Sequence, residues 1–198
     1  QIAIGHNGNL VNAALLRAEL EQRGSIFQTT VDSEIILHLL AQPYEGGNVL
    51  AALRRIQGAF SLVMMTKTEI IGVRDPHGFR PLALGRLDGA YVLASETCAF
   101  DLIGAKLERE IEPGEVVIIG ENGIRSEFPF NDARRAFCMF EYVYFARPDS
   151  IISGVNVGRA RTEMGRQLAI ETPVKADIVI PVPDSGRSEE HTSELQSP

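Results

Sequence analysis

Residues 59–74 read AFSLVMMTKTEIIGVR, two short apolar runs on either side of a polar step at Lys67-Thr68. Apolar runs of this length, separated by a tight polar connection, are typical of a β-hairpin. The stretch therefore predicts two neighbouring antiparallel strands.

The same pattern continues as far as residue 128. Four more apolar runs follow, PLALG, AYVLAS, GEVVII and GIRSEF. Turn-forming residues lie between the runs, at Asp75-Pro76-His77-Gly78, Asp88-Gly89, Pro113-Gly114 and Asn122-Gly123. Six short strands with tight connections predict antiparallel sheet.

Three helical patterns precede these strands. From Leu10 to Arg23 apolar residues recur at spacings of three and four, and Gly24 marks a helix end. Residues 33–42 and 48–57 show the same spacing, and Asp32 lies where an N-cap is expected. Helices in one block and hairpins in the next predict an α+β domain, in which helices cover the faces of stacked sheets.

The sequence changes character near residue 131. An aromatic-rich segment, NDARRAFCMFEYVYFARPDS, is followed by a helical pattern at 158–171 and by ADIVIPVP, which predicts a buried strand. A helix followed by an apolar strand is typical of an α/β unit, so we place a domain boundary near residues 130–137. The last twelve residues, RSEEHTSELQSP, resemble a translated sequencing adapter, and residues 187–198 are interpreted as a non-native tail.

Composition excludes several classes of protein. The 198 residues are 44% hydrophobic and 23% charged, which is ordinary for a globular protein. The net charge of −7 and the scattered Lys and Arg residues argue against nucleic-acid binding. The sequence has neither an apolar run long enough to span a bilayer nor a secretory leader, so we expect a cytoplasmic protein without a membrane partner.

Residues 2–14, IAIGHNGNLVNAA, contain a polar step with two interpretations. Asn7-Gly8 is a common turn dipeptide, but a helix follows it where a hairpin needs a strand. Alternatively, the Asn7 amide and the Gly8 N–H are two donors for a developing oxyanion. Asp32 likewise either caps a helix or receives an ammonium group. The residues alone leave both alternatives open.

Several motifs together resemble one enzyme family. They are GHNGNLVNA, TTVDSEIILHLLA, GAFSLV, RDPHGFRPLALG, ASETCAFD, EPGEVVII, CMFEYVYFARPDS and VIPVPDSG. In this order and spacing they are similar to the amidophosphoribosyltransferases (glutamine phosphoribosylpyrophosphate amidotransferases) over residues 1–186. HNGN and DSE are shared with other amidotransferases that have an N-terminal nucleophile, whereas RDPHGFRPLALG and FEYVYFARPDS are more specific to this family.

The resemblance implies a fold and a reaction. The fold is a four-layer α-β-β-α N-terminal-nucleophile glutaminase domain at 1–135, truncated at its start, and the beginning of an α/β type I phosphoribosyltransferase domain at 136–186. In the reaction, ammonia released from glutamine, with glutamate as coproduct, displaces pyrophosphate from phosphoribosylpyrophosphate. The product, 5-phosphoribosylamine, begins de novo purine (IMP) biosynthesis.

The resemblance also assigns site residues. Asn7 and Gly8 supply the oxyanion site, and Asp32 holds the α-ammonium group of glutamine. Asp184 and Ser185 belong to a loop that contacts pyrophosphate and, in some members, Mg²⁺. Further implied properties are a homo-oligomeric state and feedback inhibition by purine nucleotides.

The cysteines depart from the family pattern. The family's nucleophile is an N-terminal Cys upstream of HNGN, whereas the two cysteines here are Cys98 and Cys138. We therefore expect the 198-residue chain alone to be inactive. Some members ligate a [4Fe–4S] cluster through a Cys at the position of Cys138, whereas others have this Cys and no cluster. A [4Fe–4S] cluster requires four thiolates. Cys98 is expected to be a small buried residue.

Two alternative functions are weighed against this one. The first is another class II glutamine amidotransferase, such as glucosamine-6-phosphate or asparagine synthetase, although those lack a segment like FEYVYFARPDS. The second is a non-catalytic remnant of the fold. His6, His38 and His77 lack metal-ligand spacing and are interpreted as structural. Arg74 and Arg80 are expected to form ion pairs with nearby acids such as Asp75.

Overall fold

The computed structural model describes residues 1–42, 49–130 and 134–180. Within these ranges the strands are β1 (Ala3–Leu10), β2 (Gly58–Met65), β3 (Ile70–Arg74), β4 (Ala83–Leu87), β5 (Ala90–Ala94), β6 (Lys106–Glu110), β7 (Val116–Gly120), β8 (Gly123–Glu127), β9 (Ile151–Ile152) and β10 (Val155–Asn156). The helices are α1 (Ala13–Gln22), α2 (Asp32–Ala41), α3 (Val49–Leu53), α4 (Cys98–Ile103) and α5 (Val157–Glu171), with a π-helical turn at Glu141–Phe145.

Five strands form the larger sheet, in the order β1-β2-β3-β7-β8. Each neighbouring pair is antiparallel. The hairpin predicted from residues 59–74 is confirmed as β2 and β3, with Leu62 opposite Val73 and Met64 opposite Ile71. The predicted antiparallel sheet is therefore confirmed.

A second sheet contains three strands in the order β5-β4-β6. The hairpin of β4 and β5 is confirmed, with Leu84 opposite Leu93. The edge strand β6 was not predicted, because its sequence KLERE is charged and lacks a regular apolar alternation. The short helix α4 was also not predicted, since six residues show too little helical periodicity.

Alternating side chains define four layers. On β2, Phe60, Leu62 and Met64 pack with buried residues of α1 and α2, whereas Val63 points to the other side, toward the second sheet. The space between the sheets is filled by Leu82, Leu84, Ile111 and Val117. On the outer face of the second sheet, Phe100 of α4 packs with Ala83 and Ala105. The layer order is α-β-β-α, as the sequence predicted.

The helices begin and end differently from the predicted bounds. The first one begins at Ala13 and not at Leu10, because β1 continues through Leu10. The third ends at Leu53 and not at residue 57, whereas residue 48 of the predicted 48–57 lies outside the described residues. None of the helices within the described residues combines the length and apolar character needed to cross a bilayer.

Residues 134–180 form a smaller structure. The predicted helix is confirmed as α5, and the Asn156 side chain caps it by accepting a hydrogen bond of 2.9 Å from the Arg159 N–H. The prediction of a buried strand at ADIVIPVP is wrong for residues 176–180, where Val179 is 89% exposed. No strand within the described residues lies beside this segment to pair with it. The rest of that run, 181–183, lies outside the described residues.

Candidate active site

Asn7 and Gly8 lie inside a strand and not in a turn. On β1, Asn7 is opposite Ser61 of β2, and Gly8 is opposite Phe60. The turn interpretation is therefore wrong, because the backbone continues as paired strand to Leu10. Asn7 is half-buried, and no hydrogen bond joins its side-chain amide to another part of the described chain. Its two N–H groups remain available to a ligand.

Gly8 is required by a close approach of two backbones. Its φ is +139°, and a Cβ built there would lie 2.0 Å from the Ala59 carbonyl oxygen. Gly58 on β2 is the counterpart, with φ +148° and a built Cβ 2.2 Å from the Asn9 oxygen. Side chains at either position would push the strands apart. The glycine therefore keeps the backbone beside Asn7 in a conformation that other residues rarely adopt.

Asp32 faces β1 and does not cap its own helix. It is the first residue of α2, with Val31 at the N-cap position and no side-chain capping bond. One carboxylate oxygen, Oδ2, accepts a hydrogen bond of 2.9 Å from the Leu10 N–H. The other, Oδ1, lies 3.2 Å from His6 Nδ1. Asp32 therefore lies against the part of β1 that contains the Asn7-Gly8 pair, and the N-cap interpretation is wrong.

A second carboxylate shapes the segment that leads into α2. Glu34 accepts hydrogen bonds of 2.8 Å from the N–H groups of both Gln28 and Thr29. These bonds, first the one from Gln28 and then those from Thr29, lower the pKa of Glu34 to about 2. Glu34 therefore fixes the approach to the helix, and Asp32 is left to face β1.

His6 is a site neighbour whose role the sequence did not indicate. Its side chain is 3% exposed, and Nδ1 lies 3.2 Å from both Asp32 Oδ1 and Ser33 Oγ. Burial lowers the pKa of His6, and the positive charge of Arg80 acts in the same direction, whereas Asp32 opposes the shift. The imidazole is therefore neutral at neutral pH. Its other nitrogen, Nε2, is buried and has no hydrogen-bond partner within the described residues.

The RDPHGFRP turn is held by hydrogen bonds from its backbone N–H groups to the Asp75 carboxylate, and it links two parts of the chain. The Asp75 carboxylate accepts hydrogen bonds from the N–H groups of His77, Phe79 and Arg80. It does not form the predicted ion pairs with the arginine side chains. Arg80 instead forms an ion pair of 2.8 Å with Glu141, and its guanidinium lies 4.4 Å from the centre of the Phe145 ring.

Arg74 is the other arginine of this turn. Its side chain is 5% exposed and lies 3.7 Å from the carboxylate of Glu110. It also donates to the carbonyl oxygens of Arg80 and Ile111, at 2.9 and 2.6 Å. These contacts bury the guanidinium among protein groups, so Arg74 has a structural role.

The two cysteines occupy different environments. Cys98 is 6% exposed, and burial raises the pKa of its thiol, which lies 3.8 Å from a Glu96 oxygen. This confirms Cys98 as a buried residue and makes it a poor nucleophile. Cys138 is half-buried. Within the described ranges, no three His, Cys, Asp or Glu side chains lie close enough together to hold a metal ion.

Two predicted site residues cannot be located. Asp184 and Ser185, assigned to the pyrophosphate loop, lie outside the described residues, as does the adapter-like tail at 187–198.

An open cleft of about 460 Å³ lies beside the end of the β1–β2 pair that contains Gly58 and Ala59. It is lined by Val11, Ile56, Gln57, Gly58, Ala59, Pro76, His77 and Phe79.

Comparisons with known proteins agree with this geometry. The glutamine amidotransferase domain family matches residues 1–101, which include Asn7, Gly8 and Asp32. The amidophosphoribosyltransferase of Bacillus subtilis is 47% identical over 190 residues, which cover 94% of this chain and 40% of the relative. Chloroplastic amidophosphoribosyltransferase 2 of Arabidopsis thaliana is also 47% identical over 190 residues, covering 93% of this chain and 34% of the relative.

Solved structures give the same result. A B. subtilis glutamine phosphoribosylpyrophosphate amidotransferase in complex with ADP and GMP has a TM-score of 0.88 and 46% identity, over 97% of this chain and 44% of that one. The chain spans less than half the length of these curated relatives. The similarity confirms the predicted glutaminase fold, whereas the domain boundary near 130–137 stays a prediction. The chain belongs to the glutamine amidotransferase family and is homologous to its amidophosphoribosyltransferases.

Proposed function

We propose that this chain is part of an amidophosphoribosyltransferase, which transfers ammonia from glutamine to phosphoribosylpyrophosphate. The products are 5-phosphoribosylamine, glutamate and pyrophosphate, in the first committed step of de novo purine biosynthesis. One observation carries the proposal. Asp32 contacts β1 on both sides of the Asn7-Gly8 pair, which supports a site in which Asp32 anchors an ammonium group beside two oxyanion donors.

The proposed chemistry at this site is amide hydrolysis. A thiolate attacks the side-chain amide carbon of glutamine, and negative charge develops on the amide oxygen. The C–N bond then breaks to release ammonia, and water hydrolyses the resulting thioester to glutamate and the free thiol. The Asn7 amide and the Gly8 N–H stabilise that charge as preorganised donors. The Asp32 carboxylate holds the α-ammonium group and thereby fixes the position of the substrate.

Neither cysteine of this chain fits the role of the nucleophile. Cys98 is buried against Glu96 with a raised pKa, and Cys138 lies in the aromatic segment. We therefore propose that the 198-residue chain does not hydrolyse glutamine without a further cysteine. The nucleophile belongs to the whole enzyme, in which its thiolate would face Asn7 and Gly8.

The phosphoribosyl half of the reaction is assigned from resemblance alone. Residues 136–186 are proposed to begin a phosphoribosyltransferase domain, in which Asp184 and Ser185 contact pyrophosphate. Mg²⁺ bound there would neutralise the charge of the leaving pyrophosphate. The two cysteines of this chain cannot supply the four thiolates of a [4Fe–4S] cluster, so Cys138 is a proposed ligand only in combination with cysteines outside it.

The proposed setting follows from the same assignment. The enzyme acts in the cytoplasm as a homo-oligomer, with glutamine and phosphoribosylpyrophosphate as its small-molecule substrates. Purine nucleotides are proposed as feedback inhibitors. The B. subtilis structure, which was solved with ADP and GMP, supports nucleotide binding in a relative.

The alternative functions are less well supported. Another class II amidotransferase would share the glutaminase region but not the segment that follows it. The 47% identity to the B. subtilis enzyme extends over 190 residues and thus well beyond the match to the amidotransferase domain family, which ends at residue 101. This extent favours an amidophosphoribosyltransferase over both alternatives.

The test uses the whole protein that contains this chain. With glutamine, phosphoribosylpyrophosphate and Mg²⁺, we expect glutamate and pyrophosphate to be released in equal amounts. Asp32→Asn should lower kcat/KM for glutamine by about tenfold to a hundredfold, because the substrate's ammonium group loses a charged partner.

Two controls make this result specific. Free ammonia bypasses the glutaminase site, so ammonia-dependent synthesis should be unchanged in Asp32→Asn. Asp101→Asn, at an exposed position on α4, should leave both activities unchanged. Release of glutamate without pyrophosphate would contradict the proposed transfer reaction.

A further inference from the structure

We infer that His6 is a positioning residue of the glutamine site, whose Nδ1–H orients the Asp32 carboxylate toward the substrate's ammonium group. This inference rests on the proposed function. It concerns a residue that does not itself touch the substrate but acts through one that does.

The contact geometry supports a direct role of His6 on Asp32. His6 Nδ1 lies 3.2 Å from Asp32 Oδ1, and the Leu10 N–H donates to Oδ2 at 2.9 Å. Each carboxylate oxygen therefore has one donor from β1. Two donors on different atoms fix the rotation of the carboxylate plane, which a single donor would leave free.

The tautomer follows from charge. A lone pair on Nδ1 would face the Asp32 carboxylate and repel it, so Nδ1 carries the proton. Ser33 Oγ, also 3.2 Å from Nδ1, completes the surroundings of this nitrogen. The side chain is 3% exposed, and the buried environment keeps the ring neutral. His6 is therefore a neutral donor and does not cancel the negative charge that Asp32 presents to the substrate.

The unpaired nitrogen argues against a purely structural role. Buried polar atoms are almost always hydrogen-bonded, and a histidine retained only for packing could be replaced by an apolar residue at no such cost. His6 Nε2 has no partner and is the one buried side-chain nitrogen or oxygen without one among the described residues. Within the described residues this cost falls on the ring that contacts Asp32, which supports a role for the Nδ1 contact.

The charge of the neighbouring Arg80 also acts on the His6 ring. Its positive charge lowers the pKa of His6, in opposition to Asp32. Arg80 itself is paired with Glu141 at 2.8 Å. The groups that act on the imidazole are thus one carboxylate in direct contact and one paired cation, and together with burial they leave the ring uncharged.

The experiment compares three variants in the whole enzyme. His6→Leu removes the donor, and we expect KM for glutamine to rise by about tenfold or more, while ammonia-dependent synthesis is unchanged. His6→Asn places an amide N–H near the position of Nδ1 and should keep KM for glutamine within about threefold of wild type. His6→Gln places its amide nearer the position of Nε2 and should behave like His6→Leu.

The matched control is His38→Leu. His38 is on α2, the helix that carries Asp32, but its contacts are to Glu34, with Nε2 3.8 Å from that carboxylate, and to the Phe27 ring. This variant should leave KM for glutamine unchanged. If His6→Leu fails to fold, the ratio of KM between His6→Gln and His6→Asn carries the test.

Several outcomes would overturn the inference. They are an unchanged KM for glutamine in His6→Leu, an equal loss of ammonia-dependent and glutamine-dependent activity, and equal KM values for His6→Asn and His6→Gln. A wild-type enzyme that releases no glutamate from glutamine would overturn the proposed function and the inference together, and this result is distinct from the other three.

Discussion

Residues 1–130 and residues 134–180 use their apolar side chains differently. In the first region, two sheets and their helices bury three apolar clusters, and in the largest of them Leu39, Phe60 and Leu62 have no exposed surface. In the second region the buried cluster consists of Ala146, Ile152 and Val157, while Phe140, Leu168 and Ile180 are 58%, 63% and 81% exposed. The candidate glutamine site lies in the region that supplies its own core.

The contacts between the two regions are mainly polar. Glu96 Oε2 accepts hydrogen bonds of 2.8 Å from the Arg147 N–H and the Ser150 hydroxyl. The Ile151 N–H donates to Thr97 Oγ1 at 2.8 Å, and Arg80 pairs with Glu141. Hydrophobic packing therefore stabilises the first region, whereas directional polar bonds hold the second region against it.

The largest expected effect on the free energy of unfolding comes from replacing a leucine by alanine, once in each region. Leu39→Ala should lower the free energy of unfolding by about 2 to 5 kcal/mol, because it opens a cavity in the core. Leu168→Ala, on the exposed side of α5, should change it by less than about 0.5 kcal/mol. Urea unfolding followed by circular dichroism measures both. Similar losses of unfolding free energy in the two variants would contradict the difference in packing between the two regions.

The next effect concerns the backbone. Gly8→Ala should cost about 2 to 4 kcal/mol, because φ is positive and the new Cβ would meet the Ala59 carbonyl. Gly154→Ala also has a positive φ, +75°, but nothing lies within 4 Å, so only about 1 to 2 kcal/mol is expected. The same unfolding experiment measures the difference. Equal costs would mean that the β1–β2 pair can move apart freely.

A third prediction tests the polar link. Arg80→Ala leaves the carboxylate of Glu141, which is 3% exposed, without its charged hydrogen-bond partner and should cost about 1.5 to 3 kcal/mol. The control is Arg166→Ala, which breaks the exposed pair with Glu163 and should cost less than about 0.5 kcal/mol. Hydrogen exchange of the Glu141–Phe145 turn should accelerate in the first variant only. Unchanged exchange in Arg80→Ala would show that this link does not hold the second region.

The smallest expected effect is a pH dependence. Burial lowers the pKa of His6 below its usual value of about 6.5, so the unfolded chain binds a proton more readily than the folded chain. His6 therefore contributes stability that is fully present above about pH 6.5 and is lost as the pH falls through its lower folded pKa. Residues 134–180 contain no histidine, so this dependence belongs to the first region.

The variant that checks this dependence is His6→Asn. The loss of stability on going from about pH 7.5 to about pH 5.5 should be smaller in this variant than in wild type by about 1 kcal/mol or less. An identical loss in both proteins would contradict the assignment to His6.

The sequence predicts the first region better than the second for a physical reason. Strands such as β2 and β3 combine apolar runs with turn residues at their ends, so local pattern and tertiary packing agree. β6 is an edge strand of charged residues, and its pairing with β4 is decided by the sheet and not by its own pattern. Ile178–Ile180 have the pattern of a buried strand, but burial requires neighbours that local sequence does not specify.

The candidate site was predictable only in part. Asn7, Gly8 and Asp32 were identified through the resemblance to a family, and the contacts of Asp32 with His6 and Leu10 put its carboxylate against the strand that contains Asn7 and Gly8. The position of Asp32 was misjudged from local pattern, since an acidic residue before a helix usually serves as its cap. His6 gave no signal, because its contact with Asp32 joins residues far apart in the sequence.

The most direct test of the central claim is a crystal structure of the whole protein with glutamine bound to a variant that lacks the nucleophilic cysteine. We expect the side-chain amide oxygen of glutamine within about 3 Å of the Asn7 amide nitrogen and the Gly8 N–H, and the α-ammonium group against the Asp32 carboxylate. Glutamine bound elsewhere, or bound here with its ammonium group turned away from Asp32, would contradict it.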